Sequence, residues 1–125
     1  MLFRSEVKEE EPSEQEIFEV VENAPEFPGG MPACLQFLYK NIKYPPIAQE
    51  NGTQGQVVLQ FVVERDGSIG DIKVVKSVDP YLDKEALRVV KTMPKWKPGM
   101  QRGKPVRCRF TLPVRFRLQS LKNLF

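Results

Sequence analysis

The chain contains no histidine in 125 residues. A Ser-His-Asp triad and any zinc site with an imidazole ligand are therefore excluded, and two widely separated cysteines, Cys34 and Cys108, make a poor metal site by themselves. A nucleophile or general base must be activated by a neighbour, and acids in turn settings such as Asp66-Gly67 offer no such pair. The sequence thus reads as neither an enzyme nor a cofactor or metal carrier. Long apolar runs are also missing. No stretch approaches the roughly 20 residues of a membrane helix, and no signal-peptide core follows Met1, so this fragment is expected to be soluble and to make no membrane contact itself. Acid is missing from residues 95–125, which carry nine Lys or Arg; residues 1–22 hold eight Glu against Arg4 and Lys8. The formal charge of +3 conceals this division into a solvated acidic arm and a basic surface.

What the chain does have is enough apolar content, 41%, for one core of ordinary size. Its clearest pattern is the alternation over Val106–Leu118. Val106, Cys108, Phe110, Leu112, Val114, Phe116 and Leu118 are apolar, while Arg107, Arg109, Thr111, Pro113, Arg115 and Arg117 stand between them. This is a strand with a core face and a cationic face, and Pro113, lacking an N–H, confines it to a sheet edge or a bulge. The two cysteines read as small buried residues, with a disulfide between the first helix and the last strand as the alternative.

Upstream, Ile17–Glu22 is expected as a short strand, and the Pro- and Gly-rich Ala24–Gly30 as a sharp turn. Met31-Pro32 opens a helix whose face is Met31, Leu35, Leu38 and Ile42, stopping before Tyr44-Pro45-Pro46. A hairpin follows, with Val57, Leu59, Phe61 and Val63 facing the core and a turn at Arg65-Asp66-Gly67-Ser68. Parity breaks between Ile69 and Ile72, which predicts a β-bulge at Gly70-Asp71. Asp79 caps a second helix bearing Leu82, Ala86, Val89, Val90 and Met93, and Pro94 ends it. Trp96 reads as a core plug beside a turn, followed by a polar loop into the last strand. The expected fold is α+β: two helices on one face of a small antiparallel sheet centred on Gln56–Glu64, with an additional short N-terminal strand. The expected division is an acidic arm over 1–16, a domain over 17–118 and a tail over 119–125.

The run Phe27-Pro28-Gly29-Gly30, the Tyr44-Pro45 pair, Gly55 through Val63, Asp66-Gly67, Ala86 and Trp96-Lys97-Pro98-Gly99 resemble, in order and spacing, the TonB C-terminal domain family. The resemblance implies the periplasmic part of an energy transducer anchored in the inner membrane, whose absent N-terminal helix couples to ExbB and ExbD. It implies a partner, the TonB box of TonB-dependent outer-membrane transporters, held by strand addition to the last strand. On that strand the expected partner-binding residues are Arg107, Arg109, Thr111, Pro113 and Arg115, because a proline nitrogen facing the free edge turns the other odd residues toward it as well; the resemblance adds Asn41, Tyr44 and Pro45 as a second zone. The same edge is open to a second copy, which would give a homodimer. Similar domains also end zinc-peptidase sensor proteins, which is the alternative parent. A nucleic-acid module is disfavoured, because Phe110 and Phe116 fall on the buried parity and leave no stacking platform.

Overall fold

The computed structural model describes residues 15–118. Most of the acidic arm, residues 1–14, and the tail, residues 119–125, lie outside the described residues. The elements are β1 (Ile17–Phe18), α1 (Met31–Asn41), α2 (Pro46–Glu50), β2 (Gly55–Val63), β3 (Ile69–Lys76), α3 (Pro80–Lys91), β4 (Gly99–Gln101) and β5 (Lys104–Phe116). The sheet order is β1-β5-β2-β3, with β4 folded onto the start of β5.

The hairpin pattern sets the centre of this sheet. Val57, Leu59, Phe61 and Val63 are fully buried, and β2 lies between β3 and β5, antiparallel to both. Cys34 and Leu38 of α1, and Leu82, Ala86, Val89 and Val90 of α3, close the same core. Asp79 caps α3 as expected, its Oδ1 accepting from the Leu82 N–H at 2.8 Å. The bulge is also present. Val62 pairs with Gly70 and Gln60 with Lys73, which leaves one extra residue on β3, and Asp71 takes φ 49°. A second shift, between Val58 opposite Lys76 and Leu59 opposite Val74, turns Val75 outward.

Trp96 joins turn to core. Its ring meets Phe27, Phe61 and Phe110 at centroid distances of 5.7, 5.3 and 4.9 Å, and its backbone N–H donates to the Gly67 carbonyl at 2.8 Å. Gly67 has φ 89°, and a Cβ there would stand 2.0 Å from the Trp96 carbonyl oxygen. Conformation and space both demand glycine.

Five expectations need correction. The N-terminal strand has two residues rather than six, and it runs parallel to β5, with Ile17 opposite Arg107, so the sheet is mixed. Beyond it the chain leaves the sheet to follow the β4 region, through paired bonds of Asn23 with Met100 and Glu26 with Lys97. Met31 and Leu35 are exposed; α1 turns Cys34, Phe37 and Leu38 inward because Phe27, just before it, stacks on both Phe37 and Trp96. After Tyr44-Pro45 the chain makes a further short helix, α2, since a proline that stops one helix can occupy the first turn of the next. The expected polar loop before the last strand contains β4, joined to β5 through Arg102 (φ 54°) and Gly103 (φ 76°). Both central residues have positive φ, the I′ geometry, which Arg-Gly signals less clearly than Asn-Gly. Finally, Phe110 is half-buried rather than a full core residue.

Both thiols are free and buried, and burial pushes Cys34 up to about 11 and raises Cys108 as well. α3 also fixes the end of α1. Glu85 accepts from the Lys43 N–H at 2.7 Å and from Arg88 Nε at 2.8 Å, while Arg88 Nη2 donates to the Asn41 carbonyl at 2.9 Å. Burial pulls the Glu85 pKa upward, but the bonds from Arg88 and the Lys43 amide outweigh it and hold the carboxyl below its ordinary value of 4.5.

Phe61→Ala should destabilise the domain by about 3 to 5 kcal/mol in chemical denaturation, and Phe110→Ala by clearly less, in keeping with its partial burial. The Glu85 contribution is present above the unfolded carboxyl pKa and is lost as pH falls through the lower folded value. Denaturation curves should therefore show Glu85→Gln less stable than the parent at neutral pH, with the two converging in acid; a gap that persists unchanged to low pH would contradict this role.

Candidate partner-binding edge

The sheet has two edges, and they are built differently. β3 carries both bulges and the charged Asp71, Lys73 and Lys76, features that twist and blunt an edge against further pairing. β5 pairs with β2 through nine successive residue pairs, Gly55 with Phe116 to Val63 with Cys108, without a shift. On its other side β1 covers only Arg107 and Cys108. From Arg109 to Phe116 no strand among the described residues lies on that side.

Pro113 fixes which groups this edge offers. It stands opposite Val58 and has no N–H to give, so the pair belongs to the non-hydrogen-bonded class. Antiparallel pairs alternate, so Val62 with Arg109, Gln60 with Thr111 and Gln56 with Arg115 are of the same class. The main-chain groups of Arg109, Thr111 and Arg115 consequently point away from β2, with a missing donor at Pro113.

The arginines divide. Arg107 binds Glu64 at 2.8 Å and the Gln15 carbonyl at 2.8 Å, and the Glu64 hydrogen bond raises its pKa further. Arg109 binds Glu19 at 2.9 Å, and its buried Nη1 has no hydrogen-bond partner among the described residues. Arg115 and Arg117 are exposed and make no ion pair among the described residues; Arg115 Nη2 lies 3.5 Å from Gln56 Oε1. Thr111 Oγ1 accepts from Gln60 Nε2 at 3.2 Å, on the arginine face.

In the second zone, Asn41 closes α1, its Nδ2 donating to the Phe37 carbonyl at 2.8 Å. The Tyr44 hydroxyl donates to the Thr53 carbonyl, and burial, reinforced by Asp79, raises its pKa. Pro45 caps α2 with its carbonyl, which accepts from the Gln49 N–H at 3.0 Å. The edge-on contact of Tyr44 with Phe116, 5.7 Å between centroids, joins this zone to β5.

Tyr44, Pro113 and Arg115 meet in one groove of about 560 Å³, between α1 and residues 113–117. Arg107, Arg109, Thr111, Asn41 and Pro45 do not line it. The last four β5 residues, Pro113–Phe116, of both parities do, together with Arg117 just past the strand end, so the groove reaches the strand's main chain as well as one of its faces. Its other wall is the outer side of α1, where Leu35 is 55% and Tyr39 80% exposed. Leu35, Tyr39 and Arg117 also line this groove, and none of them is among the partner-binding residues expected from the sequence. Local spacing carries no signal for this, because Met31, Cys34, Leu35 and Leu38 stand at i, i+3, i+4 and i+7, the positions of one ordinary buried helix face.

Residues 40–118 match the family described as the Gram-negative bacterial TonB protein C-terminal. Protein TonB of Helicobacter pylori strain J99 is 43% identical over 51 residues, which are 40% of this chain and 18% of that protein; TonB of strain 26695 matches equally. The similar segment thus spans less than a fifth of those relatives. Among solved structures, the TonB C-terminal domain of H. pylori is similar with a TM-score of 0.53 at 27% identity, covering 69% of this chain and 78% of that one. The Pseudomonas aeruginosa TonB C-terminal domain is similar with a TM-score of 0.51 at 30% identity, covering 62% and 79%. With a family match across most of the chain and the same fold in two solved relatives, this chain belongs to the TonB C-terminal domain family, whose members are non-enzymatic interaction domains.

Proposed function

We propose that this domain captures the TonB box of an outer-membrane transporter by β-strand addition to the Arg109–Phe116 edge of β5, and thereby passes inner-membrane proton-motive energy to active uptake. It works in the periplasm as part of an inner-membrane-anchored protein driven by ExbB and ExbD. The observation that carries this reading is the contrast between the edges: β3 is bulged and charged, whereas β5 is regular and open over its C-terminal half. An open regular edge is normally a liability, and its natural use is to pair with an extended segment. Arg109, Thr111 and Arg115 supply the main-chain partners, and Pro113 sets the register by its missing donor. Arg107 and Asn41 have positioning roles, the first tying β1 to β5 and the second closing α1 before Tyr44-Pro45.

Thr111→Pro removes a second outward N–H while leaving the core face untouched. The loss of a main-chain bond and the disturbance of its neighbours should weaken binding of a transporter N-terminal peptide by about tenfold or more. Thr111→Ala should bind like the parent. Calorimetric titration of both variants, after circular dichroism shows them folded, provides the test, and equal affinities would refute strand addition here.

A further inference from the structure

Strand addition leaves open which side chains the added strand must carry, and the surroundings of this edge specify them. We propose that the edge selects an alternating segment, with apolar residues directed into the groove beside α1 and acidic residues directed onto Arg115 and Arg117; this inference rests on strand addition at β5.

Side chains directly across a strand pair share a face of the sheet. A residue opposite Val114 or Phe116 therefore projects on the helix side. It enters the groove walled by Leu35, Tyr39 and Tyr44, where exposed apolar surface is otherwise in water. A residue opposite Arg115 projects on the other side, toward the guanidinium group of Arg115 and, just past the strand end, that of Arg117, which make no ion pair among the described residues. The cations further up the strand are already engaged, Arg107 with Glu64 and Arg109 with Glu19, so the demand for acid is local to the groove end. Five successive lining residues, 113–117, accommodate a segment of about the same length. Composition alone does not satisfy such a site: the same residues grouped in blocks would place acids in the groove or apolar groups over the arginines.

The test uses three labelled hexapeptides: alternating Val and Glu, the same residues in two blocks, and alternating Val and Lys. Fluorescence anisotropy would measure their binding to the parent domain, the R115E/R117E double variant, Leu35→Ser and Thr111→Pro, each checked for folding. The alternating Glu peptide should bind at least tenfold more tightly than the block peptide. The double charge reversal should transfer preference to the Lys peptide. Leu35→Ser should weaken the alternating Glu peptide several-fold at unchanged melting temperature, since Leu35 lies outside the core. Equal binding of alternating and block peptides, both lost in Thr111→Pro, would overturn the alternation while supporting strand addition. An unchanged charge preference in R115E/R117E would overturn the acidic half of the proposal. Binding indifferent to Thr111→Pro, or absent for every peptide, would overturn the proposal together with the strand-addition reading beneath it.

Discussion

The contact between Trp96 and the β2–β3 turn is the constraint on which the rest of the domain depends. One residue contributes a ring to a cluster drawn from three distant segments, with Phe27 before α1, Phe61 in the central strand and Phe110 in β5. Its backbone meanwhile donates to the Gly67 carbonyl. The crossing from α3 back to the sheet is thus pinned at Trp96, directly before Lys97 pairs with Glu26. From there the chain enters β4, turns at Arg102-Gly103 and runs out as β5, so the start of the candidate edge is set by how the indole seats. The indole Nε1 lacks a hydrogen-bond partner among the described residues, a departure from the usual pairing of buried Trp N–H groups. Packing and the backbone bond hold this residue without it.

Charge is spent in two ways along β5. Toward its start, arginines pair with Glu64 and Glu19 and help hold β1 against the strand. Toward its end, Arg115, and Arg117 just beyond it, are exposed to solvent beside a groove rich in apolar surface. An even cationic face in the sequence thus becomes a structural half and an available half. The difference comes from the N-terminal segment, which reaches the first part of the edge and then departs to follow β4.

Where local pattern and tertiary packing agree, the sequence was readable. β2 alternates strictly and is central, Asp79 precedes a helical period and caps it, and the parity break at Gly70-Asp71 is a bulge. Where the outcome hangs on partners far along the chain, it was not. Which stripe of α1 faces inward depends on Phe27 meeting Trp96, some 70 residues away in sequence. The shortness and parallel direction of β1 depend on the later run of residues 23–26 along β4, whose own Arg-Gly turn carries a weak local signal. The candidate site was legible as a strand edge and as a Tyr44-Pro45 zone. That the two share one groove follows from the Tyr44–Phe116 contact, which no local period encodes. Leu35 reads as core for the same reason, since an apolar residue on a helix is assigned inward until the packing direction is known, and Tyr39 falls outside the expected face.

The uninterrupted register of β5 against β2 has a mechanical consequence. Traction applied along the axis of β5 acts perpendicular to the main-chain bonds joining the two strands, so nine successive residue pairs share the load in shear instead of opening one after another from an end. The bulged β2–β3 pairing lacks that uniformity, and its offset bonds would be strained unequally by the same pull. The sheet is consequently anisotropic under such a pull: stiffer along β5 and more compliant on its β3 side.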